Sequence, residues 1–177
     1  MEFSFNLNFQ LSGDDANHDE LVERLGAAGC DDAVVGIGQA GRIALEFIRD
    51  ADHALAALTG AIADVQRAIP SAKLLEAGPD LVGLDDIADI AGVSRQNMRK
   101  LAVTQFATFP LPVHEGNSAL WHLDEVLGWM QNHGGRDSWE TGTLEVASAA
   151  KQVNLARSIR RVDPEMHRQL GRLIDSN

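Results

Sequence analysis

Apolar residues occupy every second position at the start of this chain: Phe3, Phe5, Leu7, Phe9 and Leu11, with Ser4, Asn6, Asn8 and Gln10 between them. A period of two suits a β-strand with one buried face; on a helix the same residues would be scattered around the axis. The chain must therefore supply strands to pair with this one and an apolar layer to cover its face.

The next segments provide both. Asp14, Asp15, Asn17 and Asp19 offer turn and helix-start chemistry, and Leu21, Val22, Leu25 and Ala28 follow at helical spacing before Gly29. Ala33 to Ile37 reads as a second strand, Gly38-Gln39-Ala40-Gly41 as a hairpin turn, and Ile43, Leu45 and Phe47 mark a third strand. Leu55, Leu58, Ile62, Val65 and Ile69 define a longer helix stopped at Pro70, and Lys73 to Ala77 is strand-like, ending at Gly78-Pro79. The order β-α-β-β-α-β is the split pattern of a ferredoxin-like fold. The expected class is α+β, with a ferredoxin-like domain over residues 1–80, a second unit over 81–135 and a C-terminal helical segment over 136–177. In that segment Leu144, Ala147, Leu155, Ile159 and Val162 have roughly helical spacing within Ser138 to Val162. Asp163-Pro164 then starts a final helix, Glu165 to Ile174.

Charge decides which surfaces are open to which partners. The 177 residues carry 15 basic and 26 acidic side chains, a net charge of -11. Phosphate binding rests on Lys and Arg, so the total alone disfavours a nucleic-acid partner. The acid is nevertheless concentrated early: residues 1–83 hold 5 basic and 14 acidic side chains, 84–135 hold 3 and 6, and 136–177 hold 7 and 6. A local basic surface is therefore compatible with the later part of the chain. No apolar run is long enough for a membrane span, and no secretory signal opens the chain, so a cytoplasmic protein is expected. Cys30 is the single cysteine, which excludes an intrachain disulfide and a cysteine-rich zinc site.

The central segment is the most informative. Leu84, Ile87, Ala88 and Ala91 are spaced to bury one face of a short helix, and Gly92 suits a tight turn with positive φ. Val93 can plug the angle between two helices. Ser94 is a good cap for a second helix, over 94–103, whose buried face is Met98, Leu101 and Ala102. Arg95, Gln96, Asn97, Arg99 and Lys100 are then left outward. Arginine can pair with guanine edges, glutamine and asparagine suit adenine, and amides at the helix start can approach phosphate. Phe109-Pro110-Leu111-Pro112-Val113-His114, the turn Glu115-Gly116-Asn117-Ser118 and the return Ala119 to Leu123 read as a two-stranded wing. Asp124 to Met130 then forms a short covering helix.

The run Gly92 to Leu101, then Phe109-Pro110-Leu111-Pro112, then Leu120-Trp121-His122-Leu123-Asp124-Glu125-Val126, resembles the MerR/excisionase-like winged helix-turn-helix proteins, including the small AlpA-type regulators. The resemblance covers about residues 84–131. It implies that the second helix enters the major groove with Ser94, Arg95, Gln96, Asn97, Arg99 and Lys100, and that His114, Asn117 and Ser118 on the wing touch the flanking backbone. It also implies a sequence-specific DNA-binding transcriptional regulator with double-stranded DNA as partner. A homodimer is expected, because one small reading head supplies few contacts. Asp85, Asp86 and Asp89 make the first helix acidic, which weakens phosphate contacts there.

Other readings compete. Arg95, Arg99 and Lys100 also fit an ordinary solvated helix face, in which case the chain is a protein-interaction adaptor, or an antitoxin-like protein whose acidic N-terminal domain holds a protein partner. Gly36-Ile37-Gly38-Gln39-Ala40-Gly41 matches a dinucleotide fingerprint, but that motif requires a helix after its last glycine, and Ile43, Leu45 and Phe47 favour a strand. The six histidines form no pair at metal-ligand spacing on a helix, although His114 and His122 are candidates to face each other across the wing. Cys30 beside Asp31 and Asp32 lacks the surroundings of a reactive thiolate. No catalytic constellation stands out, so neither enzymatic activity, a cofactor nor a metal is expected. Trp121 and Trp129 read as core residues. Lys151, Arg157, Arg160, Arg161, Arg168 and Arg172 make the tail basic, either as a salt-bridged surface docked on the acidic domain or as a phosphate-contacting or dimer-forming element.

Overall fold

The computed structural model describes residues 1–13, 17–36, 38–133 and 139–174, without the side chain of Arg172. The expected turn at Asp14-Asp15, the strand end at Ile37, the Gly134-Gly135 boundary, Ser138 and the charge of Arg172 lie outside this description.

The described residues form a mixed α+β structure with a four-stranded antiparallel sheet and seven helices. Strand β1 spans Glu2–Gln10, β2 Ala33–Gly36, β3 Arg42–Asp50 and β4 Lys73–Gly78. Helices α1 (His18–Ala27) and α2 (Ala54–Ala68) fall between β1 and β2 and between β3 and β4. The strand order is β2-β3-β1-β4, so the first strand is central and β4 lies at an edge. Phe5 pairs with Phe47 and Leu7 with Leu45 across β1 and β3, while Leu7 also pairs with Ala77 of β4. The alternation of β1 thus becomes one continuous apolar face, on which the rings of Phe5 and Phe47 stack 5.2 Å apart. Leu58, Ala61 and Val65 of α2 and Leu21 and Leu25 of α1 join the same buried cluster. Leu55 and Val22, expected on the buried faces of those helices, are instead exposed.

Polar pairing fixes the far end of this layer. The Arg49 guanidinium donates to both oxygens of Asp32, at 2.7 and 3.0 Å, to Asp64 at 2.8 Å and to the Gly29 carbonyl at 2.9 Å, and it lies over the Phe47 ring. Its hydrogen bonds to Asp32 hold its pKa above the ordinary arginine value despite partial burial. Gly41 has φ +71° and precedes β3, not a helix, so the glycine fingerprint lacks the context that nucleotide binding needs.

After Gly78, β5 (Leu81–Val82) pairs antiparallel with β6 (Trp121–His122). Between and after them come α3 (Leu84–Ile90), α4 (Arg95–Thr104) and α5 (Leu123–Asn132), then α6 (Thr143–Ile159) and α7 (Pro164–Ile174). A second buried cluster gathers Ile87, Ala88, Ala91, Met98, Phe109, Leu123, Val126, Leu127 and Met130. Helix α6 serves both clusters: Val146, Ala149 and Ala150 enter the first, and Ala147 enters the second. Its small residues let it sit close to β4, α2 and α5 at once. By contrast Leu155, Ile159 and Val162, expected to continue its buried stripe, are exposed.

Candidate nucleic-acid interface

Local chemistry shapes α4 from its first residue. Gly92, at φ +65°, turns the chain sharply after α3, a backbone conformation that a side chain would strain. Ser94 then caps α4 by accepting the Asn97 N–H at 3.1 Å, satisfying one of the donors left open at a helix start. Met98 is fully buried, Leu101 and Ala102 are half-buried, and Val93 packs against the same cluster in the angle between the helices. Ser94, Arg95, Gln96, Asn97, Arg99 and Lys100 are all exposed. Burial of Met98 therefore orients α4, and the polar side chains form its outer surface.

The cations on that surface differ in one respect. Arg95 Nη2 donates to Asp89 at 2.8 Å and Arg99 Nη2 to Asp85 at 2.7 Å. The Asp89 hydrogen bond raises the Arg95 pKa above its ordinary value. Lys100 has no ion pair among the described residues. The acidity of α3 thus has a definite structural form: two arginines of α4 rest on its carboxylates. Exposed pairs of this type are weak, because water solvates both ends well.

The hairpin expected over Phe109 to Leu123 is paired less than its sequence suggests. The Val113 N–H donates to the Leu120 carbonyl at 2.8 Å, and Leu120 N–H to the His114 carbonyl at 3.0 Å, but this is a single bridge. The returning strand β6 continues onto β5 instead. His114, Asn117 and Ser118 are exposed at this turn. His114 and His122 do not face each other: His114 bridges Leu120, and His122 pairs with Asp80. Pairing with β5 sets the register of His122 and turns it toward the junction. Trp121 donates its indole N–H to the Pro110 carbonyl at 3.1 Å and Trp129 to Thr108 Oγ1 at 3.3 Å, while both rings pack against the second cluster. The outer helix and the turn therefore share one core, through Met98 on one side and Phe109 and Trp121 on the other.

Two groups escaped the sequence reading. Val103 and Phe106, near the end of α4, are exposed, Phe106 at 78%. No polar pattern marks them, although an apolar residue off the buried period of a short helix is a readable signal. The other group is the junction. Asp80, only 2% exposed, lies 2.6 Å from His122 Nδ1 and accepts from Asn154 Nδ2 at 2.7 Å. Lys151 of α6 reaches Glu125 at 2.7 Å and Asp124 at 3.3 Å on α5. These residues stand far apart in the chain, so spacing carries no hint of their meeting.

Elsewhere the chemistry is quiet. Burial, with the nearby Asp64 charge, pushes the Cys30 thiol up to about 11, so it is a poor nucleophile at neutral pH even with Arg49 nearby. Among the described residues no cluster of His, Cys, Asp and Glu is arranged to hold a metal, and no helix is long and apolar enough to cross a membrane. Compared with known proteins, the chain matches no family model, no curated protein and no solved structure.

Proposed function

We propose that this chain is a cytoplasmic, sequence-specific DNA-binding transcriptional regulator that works as a homodimer and reads the major groove with α4. The observation that carries the reading is the serine-capped helix whose buried Met98 leaves Arg95, Gln96, Asn97, Arg99 and Lys100 facing solvent. Guanidinium forks and side-chain amides are suited to base edges, and the backbone amides at a helix start to phosphate. The β5·β6 pair and the bridged turn at His114 support the winged, MerR/excisionase-like form of the reading. The strand order β2-β3-β1-β4, with helices after β1 and β3, likewise supports a ferredoxin-like arrangement for residues 1–80. Neither part of the proposal needs a cofactor or catalysis.

Helix α7 supports the dimer. Met166, Leu173 and Ile174 are 65%, 73% and 70% exposed, and Leu170 is also exposed, so one whole apolar stripe lacks cover among the described residues. An isolated helix of 11 residues is marginal in water, and an apolar face of this extent needs a partner surface. A second copy supplies one, and two heads on one site raise affinity through effective concentration.

The second reading, a protein-interaction adaptor or antitoxin-like protein, draws on the Arg95–Asp89 and Arg99–Asp85 pairs, which partly neutralise α4 within the chain itself. Titration against duplex DNA from the region upstream of its own gene, at several salt concentrations and beside a shuffled duplex, separates the two. Selective, salt-sensitive binding is expected; none at low salt favours the adaptor. Arg95→Ala and Arg99→Ala should each weaken selective binding by about five- to hundred-fold where the contact is to a base. Unchanged affinity in both folded variants would move the interface away from α4.

A further inference from the structure

Between α2, the start of β4 and the later part of α6 lies an open groove of about 550 Å³, a size usual for small-molecule sites. Ile62, Leu74 and Val153 give it apolar walls, and Lys73, Arg157 and Arg160 supply three cations. Among the described residues no carboxylate lines it, in a chain whose net charge is -11. None of the three cations has an ion pair among the described residues. Arg157 adds a sharper sign: its Nε is buried and has no hydrogen-bond partner among the described residues. A buried guanidinium N–H without an acceptor has lost water and gained nothing, a cost that an acceptor in the groove relieves once the Arg157 side chain turns toward it.

We propose that this groove binds a small amphipathic carboxylate, with its charged end on Arg157 and Lys73 and its hydrocarbon body on Ile62, Leu74 and Val153. The guanidinium fork matches the two oxygens of a carboxylate. A bare inorganic anion would leave the apolar walls wet, and a neutral apolar molecule would leave Arg157 without an acceptor. Only a molecule with both ends satisfies both halves of the groove. The helix that carries Arg157 is also the one that places Ala147 and Lys151 against the α3–α5 core, so occupancy bears on a helix shared by both halves. The binding site itself does not depend on the DNA reading, and its test uses no DNA.

Isothermal titration calorimetry of the full chain with octanoate and with 3-phenylpropionate, an aliphatic and an aromatic carboxylate, tests the proposal, beside 1-octanol and inorganic phosphate. At least one carboxylate should bind saturably and one-to-one, with amide NMR shifts concentrated at Lys73, Leu74 and Val153. Lys73→Gln, at an exposed position, and Arg157→Gln should each weaken it about tenfold or more, with the fold intact by circular dichroism. Saturation by neither carboxylate overturns the proposal. So does binding of 1-octanol or phosphate as tight as that of the carboxylate, or carboxylate affinity unchanged in folded Lys73→Gln and Arg157→Gln proteins.

Discussion

Replacing Asp80 with alanine is expected to lower the unfolding free energy by about 3–5 kcal/mol, measured by urea denaturation. The carboxylate sits where the chain leaves the four-stranded sheet, and its two oxygens have separate duties. Oδ1 pairs with His122 Nδ1 and Oδ2 accepts from Asn154 Nδ2. Asn154 in turn donates to the Ala77 carbonyl at 2.8 Å and accepts from the Ala77 N–H at 2.9 Å, closing part of the open edge of β4. The Asp80 carbonyl accepts the Leu123 N–H at 2.8 Å, at the start of α5. Alanine keeps that last bond and strands the two side-chain donors away from water, each orphaned donor costing about 1–3 kcal/mol. Asp80→Asn preserves one oxygen and the shape, so it should cost clearly less than alanine. A loss below about 1 kcal/mol for Asp80→Ala would mean that water satisfies His122 and Asn154 as well as the carboxylate does.

The paired substitution Leu170→Asp with Leu173→Asp should convert the proposed dimer to a monomer in sedimentation velocity. It should also reduce affinity for a two-site operator by about 10²–10⁴-fold, the range lost when two linked heads become one. Both leucines are exposed on α7, so aspartate there adds charge to a surface without opening a core. The helix start is preserved, since Asp163 accepts the N–H groups of Glu165 and Met166, each at 2.9 Å. If the variant still sediments as a dimer, α7 is not the dimer interface; if wild type is a monomer at micromolar concentration, the dimeric reading is lost. Neither result touches the proposed role of Arg95 and Arg99 in DNA reading, which the alanine variants test separately.

The parts legible in the sequence are those governed by local physics. The alternation from Phe3 to Leu11 marked a strand, and the paired registers of Phe5, Leu7 and Phe9 give it one buried face. Gly92 and Ser94 announced a turn and a cap through conformational need and side-chain reach, and both occur where expected. Long-range pairing was illegible. That Asp85 and Asp89 would hold Arg99 and Arg95 depends on the angle between α3 and α4, which residue types do not encode over so short a stretch. Helix α6 misled in a different way. Its bulky residues Leu155 and Ile159 face solvent, while Ala147, Ala149 and Ala150 are buried, because close approach to several elements selects small side chains. The expected stripe therefore holds at Leu144 and Ala147 and fails from Leu155 onward. The cross-wing pairing of His114 and His122 failed for a related reason, since β6 spends its register on β5.

One helix lending walls to two separate cores limits how this chain can be rearranged. Cutting out the stretch from β5 to α5 as a cassette would remove Ala147 from one side of it and leave Lys151 unavailable to Asp124 and Glu125. The sheet left behind would lose Val146, Ala149 and Ala150 only if α6 travelled with the cassette, so either donor or recipient is left gaping. Recombination can move these halves together, but not trade them as interchangeable parts.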